Sequence, residues 1–261
     1  MIGKGRVSDS MGTYECVLAG SDEPSLTDSA LDASLNSYCH VVPKKFVTVA
    51  YFPSGIMVKW FHDLLNDDRT GELGESDRKA ENDFSEAYLP EGPTGLSVTP
   101  HLIGTCNPEF NPHARGVISG LGPGTTRGQL YKGILEGLAC ELSLITDLLS
   151  RAIGDFGDIY VSGGGSRSAL GLKLRAALTG RRLHVMNSPE SVCLGTAILA
   201  GVATGEYKDI NEAIGRVVHE ITLLDPDPMI ASSYADQMNH YRRLRAVMVT
   251  HWNCGSHKEE R

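Results

Sequence analysis

Three glycine-rich stretches of this 261-residue sequence contain the residue types that bind phosphate and nucleotide groups. One of them, Gly163-Gly164-Gly165-Ser166, follows the short apolar run 158–162 and precedes a helical segment. Backbone N–H groups at such a turn lie open to a ligand and favour anionic, oxygen-rich groups. A tight connection explains the same residues, and the dinucleotide fingerprint G-x-G-x-x-G does not fit, because Ser168 stands where the last glycine belongs.

The other two stretches lie earlier in the chain. Gly12-Thr13, in a predicted hairpin, offers a bare backbone N–H and a hydroxyl, both of which can donate to a phosphate oxygen. Residues 116–128 contain five glycines in thirteen positions, which leaves little side chain in the path of a nucleotide. Each pattern is common on its own, and an ordinary turn remains the alternative for both.

Alternating strands and helices must position these stretches. Two strand-rich runs, 7–18 and 40–52, predict a meander near the start. From Thr125 onward a long helix, capped by Thr125 or Thr126 and ending near Gly154, precedes alternating segments that favour parallel strands with helices on the sheet faces. The predicted segments are the strands 158–162 and 183–186 and the helices 168–178, 190–203 and 232–249.

Composition excludes several classes of partner. The net charge of −8 repels phosphate backbones and anionic lipids, so we expect neither nucleic acid nor membrane as a partner. No apolar run reaches membrane-spanning length and the first residues do not resemble a signal peptide, so we expect a cytoplasmic protein. The six cysteines form no C-x-x-C pair, and we expect most of them to be small buried residues. The acidic segment 63–91 is typical of a solvated insertion.

Four stretches, taken in order, resemble the motifs of one family. They are Ser10-x-Gly12-Thr13; Gly116-x-Ile118-x-Gly120-Leu121 followed, after seven intervening residues, by Gln129-Leu130-x-x-Gly133-Ile134-Leu135-Glu136; residues 161–168; and Glu190-x4-Gly195-Thr-Ala-Ile-Leu-Ala-Gly201. They are similar to the second phosphate motif, the second signature, the adenosine motif and the following helix of the FGGY carbohydrate kinases. Gly133 departs from that pattern, which has Ala or Ser there. The four coincident motifs extend over nearly the whole chain and make the resemblance highly specific.

The resemblance implies an α/β fold of the actin-like, ribonuclease-H type, in which a mixed sheet is flanked by helices. It implies ATP and Mg²⁺ as cofactors and a sugar or polyol as the phosphoryl acceptor. We expect one such domain over residues 1–250 and a polar tail over 251–261. By the same resemblance, Gly12 and Thr13 would hold the terminal phosphates. Gly124 and Gly128 would line the path of the nucleotide. Gly164, Gly165 and Ser168 would contact the adenosine.

The start of the chain departs from the family pattern. Full-length members are about twice as long, and their first domain carries an Asp-x-Gly-Thr phosphate loop and most sugar contacts. Their catalytic base is an aspartate shortly before the second phosphate motif, and Asp9 stands too close to Gly12 to be that residue. We therefore expect half an enzyme, with no catalytic base of its own. A split kinase, a fragment of a longer protein and a non-catalytic nucleotide-binding or scaffolding module all stay open, as does homo-oligomerisation.

Overall fold

The computed structural model describes residues 5–66, 89, 91–186, 190–218 and 221–255. Nine strands form two sheets: β1 Val7–Met11, β2 Tyr14–Ser21, β3 Asn36–Cys39, β4 Phe46–Pro53, β5 Ser97–Thr99, β6 Val117–Ser119, β7 Ile159–Ser162, β8 Leu183–Met186 and β9 Ile221–Leu224. The described α-helices are α1 Asp28–Asp32, α2 Gly55–Asn66, α3 Arg127–Ile153, α4 Ala169–Thr179, α5 Ser191–Ala203, α6 Ile210–Val217, α7 Pro228–Ser233 and α8 Ala235–Gly255.

The main sheet has seven strands in the order β3-β4-β2-β1-β7-β8-β9, and β5 and β6 form a separate antiparallel ribbon. β1, β7 and β8 are parallel to one another, as the alternation of strands and helices predicts. The remaining neighbours in the main sheet are antiparallel, so the sheet is mixed. The predicted meander is the antiparallel group β1, β2 and β4, with β3 added at the edge.

Helix α3 is the main support of the sheet. Its first turn has a capping box, in which the Thr126 hydroxyl accepts from the Gln129 N–H while the Gln129 side chain accepts from the Thr126 N–H. The apolar side of α3 packs in the main core against the buried strand side chains on the sheet face that the helix covers. Gly137 allows the helix to approach β5 closely, because a Cβ at this position would lie 2.2 Å from the Val98 carbonyl oxygen.

The two faces of the main sheet differ. Along β1, the side chains of Val7, Asp9 and Met11 are buried on the face that α3 and α4 cover. Ser8 and Ser10 alternate with them and point to the other face, where they are only half-buried. The core therefore lies on one side of the sheet, and the second side is partly open.

Several sequence expectations can be compared with this structure. Of the five cysteines whose side chains the structure describes, all free thiols, only Cys140 is buried, so the expectation that most are buried is wrong. Cys16 points to the less covered sheet face, and Cys39 lies on the edge strand β3. Most of the acidic segment 63–91 and residues 256–261 lie outside the described residues, and the last described helix is longer than expected, ending at Gly255. Among the described helices, none has both the length and the apolar character of a membrane span.

Candidate functional site

A cavity of about 340 Å³ opens at the edge of the sheet where β1 and β7 end. Four parts of the chain meet around it: the β1–β2 hairpin, the start of α2, one side of α3 and the glycine turn between β7 and α4. The residues that line it are Met11, Gly12, Thr13, Ser54, Gly55, Val58, Lys59, His62, Tyr131, Leu135, Leu138, Gly164, Gly165, Ser168 and Arg175.

The hairpin side of the cavity is held by the start of α2. The Ser54 N–H donates to the Thr13 carbonyl oxygen at 3.1 Å, and the Gly55 N–H donates to the Gly12 carbonyl oxygen at 3.0 Å. A Cβ on Gly55 would lie 2.6 Å from the Gly12 oxygen, so only glycine permits this contact. These bonds fix the hairpin tip at the cavity rim, where Gly12 and Thr13 are exposed.

The opposite side of the cavity is the glycine turn that follows β7. Gly163 has a φ of +94°, and a Cβ there would lie 2.7 Å from the Met11 carbonyl oxygen, so glycine is required. The next residues form a short 3₁₀ turn, after which the Ser168 hydroxyl accepts from the Gly171 N–H and caps α4. Gly164 has open space where a side chain would project. The strand-to-helix turn thus presents backbone to the cavity.

Five of the seven residues assigned to ATP from sequence line this one cavity, namely Gly12, Thr13, Gly164, Gly165 and Ser168. Gly124 lies in the exposed loop before α3, and Gly128 lies in the first turn of that helix. Neither of these two is among the cavity residues. Tyr131, three residues after Gly128, is the point at which this end of α3 reaches the cavity.

Sequence reasoning did not find the contribution of α2. Gly55, Val58, Lys59 and His62 all line the cavity from this helix. The signal was the Ser54-Gly55 pair that follows the apolar strand β4, a second strand-to-helix turn with a glycine. The spacing of Gly55, Val58, Lys59 and His62 places them on one side of α2.

Two cationic side chains border the cavity. Lys59 is exposed and pairs with Asp63 at 3.0 Å within α2. Arg175, on α4, has a side chain only 2% exposed, and its Nε and Nη2 donate to the two carboxylate oxygens of Glu15 at 3.0 and 2.7 Å. The Ser54 hydroxyl at the cavity rim also donates to a Glu15 carboxylate oxygen, at 2.6 Å. These hydrogen bonds to Glu15 join α4, β2 and the start of α2. The Arg175 side chain, which lines the cavity, is therefore held in place by its bonds to Glu15.

Two glutamates of α3 are buried away from the cavity. Glu136 accepts from Thr94, Tyr234 and Gln237, all of which are distant from it in sequence. Glu141 interacts with His101, Tyr241 and Arg245. Burial raises the pKa of Glu141, but Arg245 and His101 outweigh burial and hold this pKa at about 2. These networks tie α8 to α3.

A larger cavity, of about 590 Å³, lies on the second face of the sheet, between the strands and helices α5 and α6. Its lining is mostly apolar, with Ser8, Ser10 and Ser162 on the sheet side. Because none of the residues assigned to ATP lines this second cavity, the smaller one is the better candidate for a nucleotide.

Comparison with known proteins identifies the family. The family model described as the FGGY family of carbohydrate kinases, C-terminal domain, matches residues 7–204, a range that includes all four motifs in full. The chain belongs to this family. The FGGY domain is 31% identical over 159 residues to a glycerol kinase of Ralstonia pickettii, covering 60% of this chain and 30% of that protein. It is 26% identical over 210 residues to a glycerol kinase of Enterococcus faecalis, covering 80% of this chain and 40% of the relative.

Solved structures agree on the fold. A xylulose kinase from Brucella ovis matches with a TM-score of 0.81 at 18% identity, covering 95% of the FGGY domain and 49% of that chain. A glycerol kinase from Plasmodium falciparum, solved with ADP, matches with a TM-score of 0.71 at 19% identity, covering 92% and 47%. The FGGY domain thus has the α/β fold of the actin-like ATPase type, with a mixed sheet flanked by helices. The FGGY domain spans about a third of the length of the curated relatives and half that of the solved chains.

Proposed function

We propose that this FGGY domain is the ATP-binding half of a carbohydrate kinase, which transfers the γ-phosphate of ATP to a hydroxyl of a sugar or polyol. Because two of its relatives are glycerol kinases, we propose a polyol or a small sugar as the phosphoryl acceptor. The domain works in the cytoplasm, where ATP is abundant, and needs neither nucleic acid nor membrane.

One observation carries this proposal: the hairpin Gly12-Thr13 and the turn Gly164-Gly165 with Ser168 face one another across a single cavity. The Gly12 N–H is already bonded to the Ser10 and Tyr14 carbonyl oxygens, which corrects the expectation of a bare N–H there. The Thr13 and Ser168 hydroxyls and the backbone of Gly164 and Gly165 remain as groups that suit the phosphates and ribose of a nucleotide. Val58, together with Leu135 and Leu138 of α3, adds an apolar surface of the kind that accepts a base. We keep Gly124 and Gly128 as contacts of the path that leads to the cavity.

Phosphoryl transfer by the domain alone is expected to fail for lack of a base. Asp9, the acid next to the hairpin, is completely buried behind it and does not line the cavity. The base and the sugar contacts are proposed to come from an N-terminal half of the kind that completes the longer relatives. Transfer depends on positioning and charge stabilisation, so one side of the cleft binds nucleotide without turning over sugar.

Magnesium is proposed to arrive with the nucleotide. Among residues 5–66, 89, 91–186, 190–218 and 221–255, no three His, Cys, Asp or Glu side chains converge as a metal site. Mg²⁺ is commonly held by substrate phosphates and waters with few protein ligands, which fits a cavity whose described lining includes no Asp or Glu.

Calorimetric titration with Mg-ADP tests the proposal. We expect binding in the high micromolar range or weaker, because the domain supplies only one side of the cleft. Gly164→Asp is the informative variant, since a side chain there meets no protein atom within 4 Å and the new carboxylate projects into open space. Repulsion between this carboxylate and the phosphates should abolish the binding heat while the fold is retained.

Gly215→Asp on α6 is the matched control, because it adds the same charge at another exposed glycine with open space around it. This variant should bind Mg-ADP like the unmodified chain. An absence of heat at millimolar Mg-ADP in the unmodified chain contradicts the proposal. Equal binding by Gly164→Asp and Gly215→Asp contradicts the location of the site.

A further inference from the structure

Three ionisable side chains are buried together behind the hairpin of the candidate nucleotide site. Asp9 and Glu15 are 0% exposed, and Arg175 is 2% exposed. The cluster contains two carboxyl groups and one guanidinium, so with both acids ionised it would hold a net negative charge in the core. Burying an uncompensated charge costs several kcal/mol, about as much as a domain's whole margin of stability.

The strand register places the two acids on the same face of the sheet. Met11 pairs with Glu15 and Asp9 pairs with Val17, so Asp9 and Glu15 are diagonal neighbours across β1 and β2. Diagonal cross-strand side chains are within reach of one another. Helix α4 covers this face and brings Arg175 to Glu15 from above.

Hydrogen bonding treats the two acids very differently. Glu15 accepts two bonds from Arg175 and one from Ser54. Neither carboxyl oxygen of Asp9 has a hydrogen-bonding partner among the described residues. The carboxyl-bearing side chain nearest to Asp9 in the strand register is that of Glu15, its buried diagonal neighbour on the same face. Two carboxylates cannot bond to each other, whereas a carboxylic acid donates to a carboxylate.

We propose that Asp9 is a positioning residue that stays protonated at neutral pH and donates a hydrogen bond to Glu15. With this proton bound to Asp9, the cluster carries one positive and one negative charge. The proton also gives Asp9 a hydrogen-bonding partner and fixes the Glu15 carboxylate that holds Arg175 at the cavity. The link to nucleotide binding rests on the proposed function; the protonation of Asp9 does not.

The groups that act on Asp9 are consistent with this assignment. Burial raises the pKa of Asp9 well above its usual range, Glu15 on β2 raises it further, and Arg175 on α4 opposes both. On the other side of β1, the paired residue of β7 is the apolar Val161. The Cys16 thiol on β2 is a further titratable neighbour, and burial is the main cause that raises its pKa.

The pH profile of stability tests the proton directly, with no nucleotide present. The unmodified chain, Asp9→Asn and the exposed-site control Asp32→Asn are unfolded in urea between about pH 4 and pH 9. Above the ordinary Asp pKa of 3.8, the folded chain holds a proton that the unfolded chain has lost. Its unfolding equilibrium constant should therefore rise tenfold per pH unit relative to Asp9→Asn, until the folded-state pKa of Asp9 is reached.

Asn keeps a donor for Glu15 and cannot ionise, so Asp9→Asn should gain stability over the unmodified chain as the pH rises. Asp32→Asn should follow the unmodified chain in parallel. Parallel profiles for Asp9→Asn and the unmodified chain would overturn the proposal. If Asp9→Asn does not fold, ¹³C-carboxyl NMR of the aspartate-labelled, unmodified chain decides. One aspartate signal that stays protonated through the acid range supports the proposal, and titration of every aspartate there overturns it.

Mg-ADP titration of the same proteins separates this proposal from the proposed function. Asp9→Asn should bind Mg-ADP within about twofold of the unmodified chain, because the hydrogen bond to Glu15 is retained. If the unmodified chain binds no Mg-ADP, the proposed function fails while the pH profile still decides the state of Asp9.

Discussion

Replacing Arg175 with methionine should destabilise the domain more than any exposed charge replacement. The guanidinium is buried and makes two hydrogen bonds, at 3.0 and 2.7 Å, to the equally buried Glu15. Methionine fills similar space but leaves Glu15 with the Ser54 hydroxyl and the neighbouring Asp9. Breaking a buried pair from one side costs about 3–5 kcal/mol. For a domain of this size the loss corresponds to roughly 10 °C in melting temperature.

Urea unfolding of Arg175→Met at neutral pH measures this loss. Arg182→Met is the control, because Arg182 pairs with Asp225 at 2.5 Å on the surface, where the two side chains are 45% and 67% exposed. Solvent screens that pair, so its removal should leave the unfolding midpoint almost unchanged. Equal midpoints for Arg175→Met and Arg182→Met would refute the reasoning that burial makes the Glu15–Arg175 pair important.

Two further predictions concern other parts of the molecule. Because the pKa of Glu141 is held at about 2, the stability that its carboxylate confers is present above its ordinary pKa of 4.5 and is lost as the pH falls towards 2. Glu141→Gln should therefore flatten the acid part of a profile of urea-unfolding free energy against pH. An unchanged profile would contradict this prediction. The apolar cavity beside α5, where the side chains of Val192 and Leu199 are 74% and 38% exposed, should bind a hydrophobic dye and promote self-association. A clean monomer by sedimentation, without dye binding, would contradict this prediction.

Local sequence signals predicted the elements that are marked by a helix cap, a glycine turn or a regular apolar period. The cap at Thr126, the glycine after Ile153 and the apolar period between them define α3 almost to the residue. The glycine turn after β7 and the Gly12-Thr13 hairpin could be placed because glycine is required where backbones approach closely. These are short-range patterns, and they located five of the cavity residues.

The rest of the site depends on contacts that are distant in sequence. Helix α2 reaches the cavity because the sheet order places β4 beside β2, which brings Gly55 onto Gly12. Glu15 and Arg175 are 160 residues apart in sequence, and no local pattern links them. The cysteine expectation failed for the same reason, since the half-open second face that Cys16 occupies follows from how helices cover the whole sheet.

Sugar-dependent release of ADP is the most direct test of the claim that this domain is one half of a kinase. A coupled assay across ketoses, aldoses and polyols should show no useful turnover by the domain alone, because loss of a general base costs about 10²- to 10⁴-fold and lost positioning multiplies that deficit. Mixing with an N-terminal half that carries an Asp-x-Gly-Thr loop and the catalytic aspartate should restore turnover of one substrate. Robust sugar-dependent turnover by the domain alone would contradict the account, and persistent inactivity of the mixture would favour a non-catalytic module.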